Sequence, residues 1–440
     1  MTGEPHPPDV SSSLARGIGS ESGAQRPRPN VHAVLCWLLI GLCVYFAWHG
    51  VHAGLRAQGS DFTIFYDAGR AVLEGRDPSQ VERFLYLPAF AVAMAPLALL
   101  PYPAALVLWQ AASLAALVWI ASRCRRLCER ELGRPLPWLA WAPLACVLRL
   151  ADSNLANGQA NLLVLGLIVA ALEAWLAARE PRAGALLGCA TALKIVPGFL
   201  ILVFLWRRSR RAALATLASV IVLVLPLTAA VIGWRVDLGG IASWFHSQLV
   251  PYLHGGRALL AEHEYLPGQS LTATAYRLLC DAPATSAGAE GPRANLVELD
   301  PEQVKWIVRG LSACALAGLA VSLSVSVKRA ARAARLREAA LVTCTALALA
   351  PLVHKAHMVW LILPYAVLLA GAPAGLAPLA RRARWTLLAF SVLAIGATTP
   401  ALLGRWLATQ ALAHDSVFFG LAGVTAALLV DVWGTRAETA

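Results

Sequence analysis

The feature that most constrains this chain is a series of apolar runs long enough to cross a bilayer as helices. The first covers residues 31–54, and similar runs recur as far as residue 434. About 20 apolar residues span the hydrocarbon core, and helices satisfy their backbone polar groups internally there. The composition agrees, with 58% hydrophobic and 14% charged residues. The sequence therefore predicts an all-α polytopic membrane protein.

Short basic clusters separate the apolar runs and predict the orientation of the chain. They lie at 123–134, 207–211, 328–337 and 381–384. Because Lys and Arg concentrate in cytoplasmic loops, these clusters place both termini in the cytoplasm. The net charge of +12 then reflects topology, and we expect no nucleic-acid partner. We expect a multi-pass protein of a bacterial-type inner or plasma membrane.

The charge pattern divides the chain into one membrane domain, residues 31–434, between two short tails. Residues 1–30 are rich in Pro, Ser, Gly and Arg, which is typical of a disordered tail, here cytoplasmic. Residues 435–440 form the second cytoplasmic tail. We expect about 10–12 transmembrane or re-entrant helices in the domain. Its outer loops are the first loop, residues 55–102, and the long loop, residues 234–303.

Two apolar runs carry signs of incomplete crossings. Four prolines, at positions 88, 96, 101 and 103, lie in the first half of the run 86–122, which predicts an interfacial or half-buried helix at 86–100 before a crossing at about 103–122. The run at 183–206 contains Lys194 near its middle, which predicts a re-entrant pair of half-helices, since irregular backbone is tolerated at membrane depth where it lines a cavity. We expect single crossings at 135–150 and 385–403.

Asp61, in the first loop, is the strongest candidate for a general base. A carboxylate can take a proton from a hydroxyl nucleophile. The alternative is structural, because Asp is a preferred N-cap and a helix is predicted from Phe62. Tyr66 and Asp67 lie in the same loop, and Asp67 either shares the site, faces solvent or pairs with Arg70.

Lys194 is the only charged residue between Arg182 and Arg207. A lysine in such a run pairs with an anion, snorkels to an interface or lines a wet cavity. Phosphate suits a lysine, which acts on it as a point charge.

Other polar residues fall on the same predicted outer side of the membrane. His354, Lys355 and His357 are more typical of a phosphate contact or of packing than of a metal site, because the helical HExxH spacing is absent. Those in the long loop are also compatible with plain loop roles. These further candidates are Asn157, Gln159, Asn161, Arg257, Gln269, Ser270, His354, Lys355 and His357.

Several stretches of the chain carry a resemblance to a known family. Residues 35–430 resemble the polyprenyl-phosphate-mannose-dependent α-mannosyltransferases of glycosyltransferase family 87. In many bacteria this family is also known as a domain of unknown function. The stretches are SDFTIFYDAGRAVLEG, FLYLPAFAVAMAPLALLP, NGQANLLVLGL, GALLGCATALKIVPGFLIL, PGQSLTATAYRLL and APLVHKAHMVWLILP.

The resemblance implies a GT-C-type helical bundle that transfers a hexose from a polyprenyl-phosphate donor. Mannose is the expected sugar, and the acceptor is a lipid or glycan on the outer face of the membrane. Asp61 would be the general base of an inverting reaction. The resemblance implies that Lys194, His357 and outer arginines stabilise the departing phosphate. With the candidates from the residues, we expect Lys194, His357, Lys355 and Arg257 at the donor phosphate, and Tyr66, Asp67, Tyr86, Asn157, Gln159, Asn161, Gln269, Ser270 and His354 in the substrate pocket.

Two other functions remain open from the residues. Arginines in the long loop are compatible with a lipid-linked glycan polymerase or ligase that uses a diphosphate donor. Lys194 within an apolar run is compatible with a lipid-glycan transporter. We expect no cofactor; a divalent metal is compatible with the sequence, but no carboxylate pair at ligand spacing indicates one.

Overall fold

The computed structural model describes residues 30–56, 60–253, 268–282, 284, 292–327 and 332–434. The predicted tails at 1–29 and 435–440 lie outside these residues, and so does Arg257.

The described residues form helices and no β-strand, so the prediction of an all-α polytopic membrane protein is confirmed. Five of the helices are long and apolar enough to cross a membrane, and four shorter apolar helices accompany them. The long ones are Val31–Arg56, Tyr102–Leu132, Arg210–Ile232, Pro301–Val327 and Ser416–Trp433.

We number the α-helices in chain order and leave 3₁₀ and π turns unnumbered. They are α1 (Val31–Arg56), α2 (Asp61–Leu73), α3 (Pro88–Ala98), α4 (Tyr102–Leu132), α5 (Ala142–Cys146), α6 (Leu148–Ala156), α7 (Asn161–Leu176), α8 (Glu180–Leu193), α9 (Ile201–Trp206), α10 (Arg210–Val222), α11 (Thr228–Ile232), α12 (Trp234–Trp244), α13 (Val250–Leu253), α14 (Leu271–Leu279), α15 (Pro301–Val327), α16 (Arg332–Leu349), α17 (Ile362–Leu369), α18 (Pro378–Val392), α19 (Pro400–Ala413) and α20 (Ser416–Trp433).

The run predicted as one crossing at 135–150 is broken into short pieces. A 3₁₀ turn at Pro137–Ala140 leads into α5 and then α6. Proline lacks the N–H that a helix interior needs and clashes with the preceding turn. Pro135, Pro137 and Pro143 therefore prevent one continuous helix from forming across this run.

A second predicted crossing, at 385–403, is sharply bent. The helix from Pro378 to Ala397 meets α19 at an angle of 94°. A π turn at Leu393–Ala397 and Pro400 at the start of α19 mark the break. Both features interrupt regular helical hydrogen bonding, so the run is not one straight span.

The break expected near Lys194 is present. Helix α8 ends at Leu193, and Lys194 has extended backbone angles (φ −153°, ψ 122°). A 3₁₀ turn at Val196–Leu200 and α9 then continue the chain. Lys194 thus lies at the point where two short helices meet.

Helices α8 and α10 pack closely through small residues. Gly184 and Gly188 lie one turn apart on α8 in the sequence GALLG, a small-xxx-small pattern. A methyl group at Gly184 would lie 2.6 Å from Cβ of Ala215, and one at Gly188 would lie 2.8 Å from the carbonyl oxygen of Thr216. This close approach fixes the position of α8, the helix that ends directly before Lys194.

We expect Gly184→Val to destabilise the protein, because the added side chain would overlap α10. Overpacking of this kind costs about 1–3 kcal/mol. Thermal unfolding in detergent checks the expectation. Gly166→Ala in α7 is the control, because no atom lies within 4 Å of the added methyl group. An unchanged unfolding temperature for Gly184→Val would contradict the close packing.

Candidate active site

Asp61 is the first residue of α2, and the preceding Ser60 is the N-cap. The Ser60 side-chain oxygen accepts a hydrogen bond from the backbone N–H of Thr63 at 3.3 Å. Because this bond satisfies the start of the helix, the capping interpretation of Asp61 does not hold. The half-buried carboxylate of Asp61 is left to other partners.

The turn after α6 brings Gln159 to Asp61. Gly158 has a left-handed backbone (φ 63°), and the N–H of Gln159 donates to the carbonyl of Asn154 at 3.0 Å, as in a Schellman motif. The indole of Trp109 donates to the Gly158 carbonyl at 2.8 Å. A Cβ at position 158 would lie only 2.7 Å from Cβ of Phe62, so glycine permits the turn to approach α2.

A chain of hydrogen bonds connects Lys194 with Asp61. The Lys194 ammonium donates to Oδ1 of Asn161 at 2.6 Å, and Nδ2 of Asn161 donates to Oε1 of Gln159 at 3.5 Å. Nε2 of Gln159 then donates to Oδ2 of Asp61. The indole N–H of Trp360 donates a hydrogen bond to the backbone carbonyl of Asn161 at 2.9 Å. We call Lys194, Asn161, Gln159 and Asp61 the relay.

The two ends of the relay fix the orientation of both amides. An ammonium group only donates hydrogen bonds, and a carboxylate only accepts them. Asn161 must therefore present its oxygen to Lys194, and Gln159 must present its NH₂ to Asp61. All donors then point from the cation towards the anion, an arrangement in which neighbouring hydrogen bonds polarise one another.

Aromatic and imidazole groups line the Lys194 end. The ammonium lies 5.6 Å from the ring centre of Tyr86, within the range of a cation–π interaction. His357 interacts electrostatically with Lys194. Its Nδ1 accepts the backbone N–H of His354 at 3.2 Å, so a neutral His357 carries its proton on Nε2.

Burial raises the pKa of Asp61, and three neighbours oppose that rise. They are the hydrogen bond from Gln159 and the charges of Lys194 and Arg83. Arg83 was not a candidate from the sequence. It is an exposed residue of the first loop with a left-handed backbone (φ 62°), and no spacing pattern signals its proximity to Asp61.

Three candidates of the first loop and the 151–161 turn lie apart from the relay. The Tyr66 hydroxyl donates to the Leu100 carbonyl at 2.8 Å within an aromatic cluster. Asp67 is exposed and lines a surface cleft together with Arg70. Asn157 is exposed, and its amide bonds back to its own helix. The structure does not bring these side chains to Asp61.

Gln269 and Ser270 pack against the segment that precedes residue 354. The N–H of Gln269 donates to the Val353 carbonyl at 2.5 Å, and the Ser270 hydroxyl donates to the Pro351 carbonyl at 3.0 Å. The Gln269 side chain is fully buried, and neither its oxygen nor its nitrogen has a hydrogen-bond partner among the described residues. Buried amides are normally paired, so this group is available to a ligand.

Lys355 belongs to different surroundings from those of His357. The charges that act on it are those of Arg149 and Asp152, which lie on α6. Two residues further on, His357 interacts with Lys194 instead.

The described residues contain no ready metal centre. No three His, Cys, Asp or Glu side chains among them group closely enough to hold an ion. The rings of His354 and His357 are 6.0 Å apart, and Nδ1 of His357 is already bonded. The site offers a carboxylate, amides and a cation.

These features define a polytopic helical membrane protein with a candidate acid–base site linked by hydrogen bonds to a lysine. The chain belongs to glycosyltransferase family 87, whose sequence profile matches residues 84–353. The match includes Gln159, Asn161 and Lys194, whereas Asp61 and His357 lie outside it.

A curated relative agrees with the family. It is the polyprenol-phosphate-mannose-dependent alpha-(1-2)-phosphatidylinositol mannoside mannosyltransferase of Mycobacterium tuberculosis, 32% identical over 225 residues. The aligned region covers 46% of this chain and 51% of the relative, so the chain spans about half the length of the relative it matches. No solved structure matches the chain.

We expect Gln159→Leu to raise the pKa of Asp61 further, because the hydrogen bond that stabilises the carboxylate is removed. Asp61 should then remain protonated to a higher pH than in the parent protein. Infrared titration of the protonated carboxyl band measures this change, and Asp61→Asn assigns the band. Asn157→Ala, at an exposed residue of the same turn, should leave the titration unchanged. A band that titrates alike in Gln159→Leu and the parent would contradict the relay.

Proposed function

We propose that this protein is a membrane glycosyltransferase that moves mannose from a polyprenyl-phosphate donor to a lipid or glycan acceptor. The relay carries the proposal, because it joins a candidate base, Asp61, to a candidate phosphate-binding cation, Lys194. Family membership supports the reaction class, and the name of the relative supports the donor.

The proposed reaction is a single displacement at the anomeric carbon. The acceptor hydroxyl oxygen attacks that carbon while its proton passes to Asp61. The bond between the carbon and the phosphate oxygen breaks, and its electron pair leaves with polyprenyl phosphate. Attack and departure occur on opposite faces, so the configuration inverts. None of these steps uses a cofactor.

The surroundings of Asp61 suit a general base. A base works best when its pKa lies near the working pH, and burial moves the pKa of this carboxyl upward from its ordinary value. The ionised form that accepts the proton is lost as the pH falls through the raised pKa. The hydrogen bond from Gln159 limits the rise.

Lys194 is suited to the departing phosphate. Negative charge grows on that group as the bond breaks, and a cation fixed in a poorly hydrated site stabilises it without reorganisation. The Nε2–H of His357 is a second donor in the same region. The aromatic face of Tyr86 packs beside the ammonium and leaves its remaining N–H groups to a ligand.

We place the active site on the extracytoplasmic side of an inner or plasma membrane. The four basic clusters support this orientation, because they would be cytoplasmic while the first loop lies on the other side. The start of α3 at Pro88 would then adjoin the membrane beside Tyr86, where a lipid-linked donor would approach from the bilayer.

We expect Asp61→Asn to reduce mannose transfer by about 10²–10⁴-fold, the contribution of a positioned base. Assays with purified protein and polyprenyl-phosphate mannose measure the loss. Glu82→Gln, at an exposed acid of the same loop, is the matched control. Full turnover by Asp61→Asn in folded protein would exclude Asp61 as the base, and turnover only with a diphosphate donor would exclude the proposed donor.

We expect Lys194→Met to lower kcat/KM for the donor by roughly 10²–10³-fold, the cost of removing one group that stabilises transition-state charge. Steady-state kinetics with varied donor concentration measure it. Arg182→Met, at the opposite end of α8, removes an exposed cation and should leave the constant unchanged. A loss confined to the acceptor KM would contradict the assignment of Lys194 to the donor.

A further inference from the structure

A second polar cluster lies around α6, and none of its interactions involves a residue of the relay. It consists of His49, Arg149, Asp152 and Lys355. Asp152 interacts electrostatically with His49 and Lys355, and Lys355 also interacts with Arg149. With a neutral histidine, two cations face one carboxylate, so the second polar cluster has an excess positive charge.

Most donors of this cluster are available to a ligand. The Lys355 ammonium makes no hydrogen bond or ion pair within 4.0 Å among the described residues, and it is only partly buried. Arg149 uses one nitrogen, Nη1, which donates to the Ile395 carbonyl at 3.1 Å and to the Thr398 hydroxyl at 2.5 Å. In the described part of the chain, its Nε and Nη2 donate no hydrogen bond. Arg149 and Lys355 repel each other, and an added anion would relieve that repulsion.

The cluster lies where α6 meets two lipid-exposed helices. His49 is on α1, and only 11% of the residues in the most apolar stretch of that helix are buried by protein. Arg149 bonds to the break before α19, a helix whose Leu402 is 69% exposed and Trp406 70% exposed. A charged group beside lipid is costly unless it is paired or functional. A cationic cluster beside exposed apolar helices suits the phosphate of a lipid.

The local helix geometry separates this cluster from Lys194. Residues 355–361 form a 3₁₀ helix, in which each residue turns the chain by about 120°. Lys355 and His357 are two residues apart, so their side chains leave the axis in different directions. His357 faces the Lys194 side, and Lys355 faces α6. Two anions can therefore bind on two sides of one short helix.

We propose that Arg149 and Lys355 bind the phosphate of a membrane glycolipid acceptor, separately from the donor phosphate at Lys194. This inference rests on the proposed function. Along α6, at about 1.5 Å per residue, Asp152 lies roughly 6 Å before the end of the helix at Ala156, and the turn that holds Gln159 at Asp61 follows directly. The reacting sugar of the acceptor would therefore be separated from its phosphate by about one or two sugar rings.

The kinetic test compares a phosphate-bearing acceptor, phosphatidylinositol mannoside, with a phosphate-free one, octyl mannoside. Lys355→Met should raise KM for the first roughly ten- to a hundredfold, the value of a charged hydrogen bond. It should leave KM for the donor and for octyl mannoside unchanged, and Lys355→Arg should restore most of the affinity. A rise in the donor KM, or an equal loss with both acceptors, would overturn the proposal.

Arg405→Met is the matched control, because Arg405 is an exposed cation on the neighbouring α19. It should leave all these constants unchanged. The same loss in Arg405→Met would show a general effect of surface charge and would overturn the specific site. Arg149→Met also removes the bonds to Ile395 and Thr398, so Lys355→Met carries the test.

A binding measurement separates failure of this site from failure of the proposed function. Native mass spectrometry should detect phosphatidylinositol bound to the parent protein and less of it bound to Lys355→Met. If the parent transfers no sugar but this difference remains, the proposed function fails and the phosphate site stands. Equal binding by the two proteins would overturn the site. Displacement of the lipid by millimolar inorganic phosphate alone would overturn its assignment to a lipid.

Discussion

The hydrogen-bonded relay from Lys194 to Asp61 is the interaction on which the arrangement of the candidate site depends. Its four side chains come from the start of α2, the turn after α6, the start of α7 and the end of α8. Each amide has only one orientation that satisfies both neighbours. A displacement of any of the four segments breaks the chain and leaves a buried polar group unpaired, which costs about 1–3 kcal/mol.

The ends of helices supply almost every polar group of the site. Lys194 follows the last residue of α8, Asn161 begins α7, Gln159 follows a Schellman turn and Asp61 begins α2. Side chains at helix ends can leave the apolar helix surface and converge in one cavity. Because such breaks are tolerated in a membrane only where they line protein, the close packing of α8 on α10 and the aromatic cluster around Phe62 are needed to enclose them.

The class of fold and the break at Lys194 could be predicted from the sequence, because both depend on the composition of a continuous stretch. Asp61 could be singled out as a candidate base, but the residue that caps α2 could not. The sequence did not distinguish Ser60 from Asp61, which are both good N-caps. Contacts between segments could not be predicted from the sequence either. Nothing in the residue spacing indicates that Asn161 joins Gln159 to Lys194, or that the charge of Arg83 acts on Asp61.

Lys355 and His357 are neighbours in the sequence but lie in different surroundings. Their similar chemistry and short spacing favour a single phosphate role for both. In an extended strand, residues two apart share a face, but in a 3₁₀ helix they diverge. The polar segment His354–His357 therefore contributes to two different groups of residues, with His357 near Lys194 and Lys355 near Arg149. In the proposed reaction with two lipid substrates, one short helix between the two proposed anion sites would keep their separation constant.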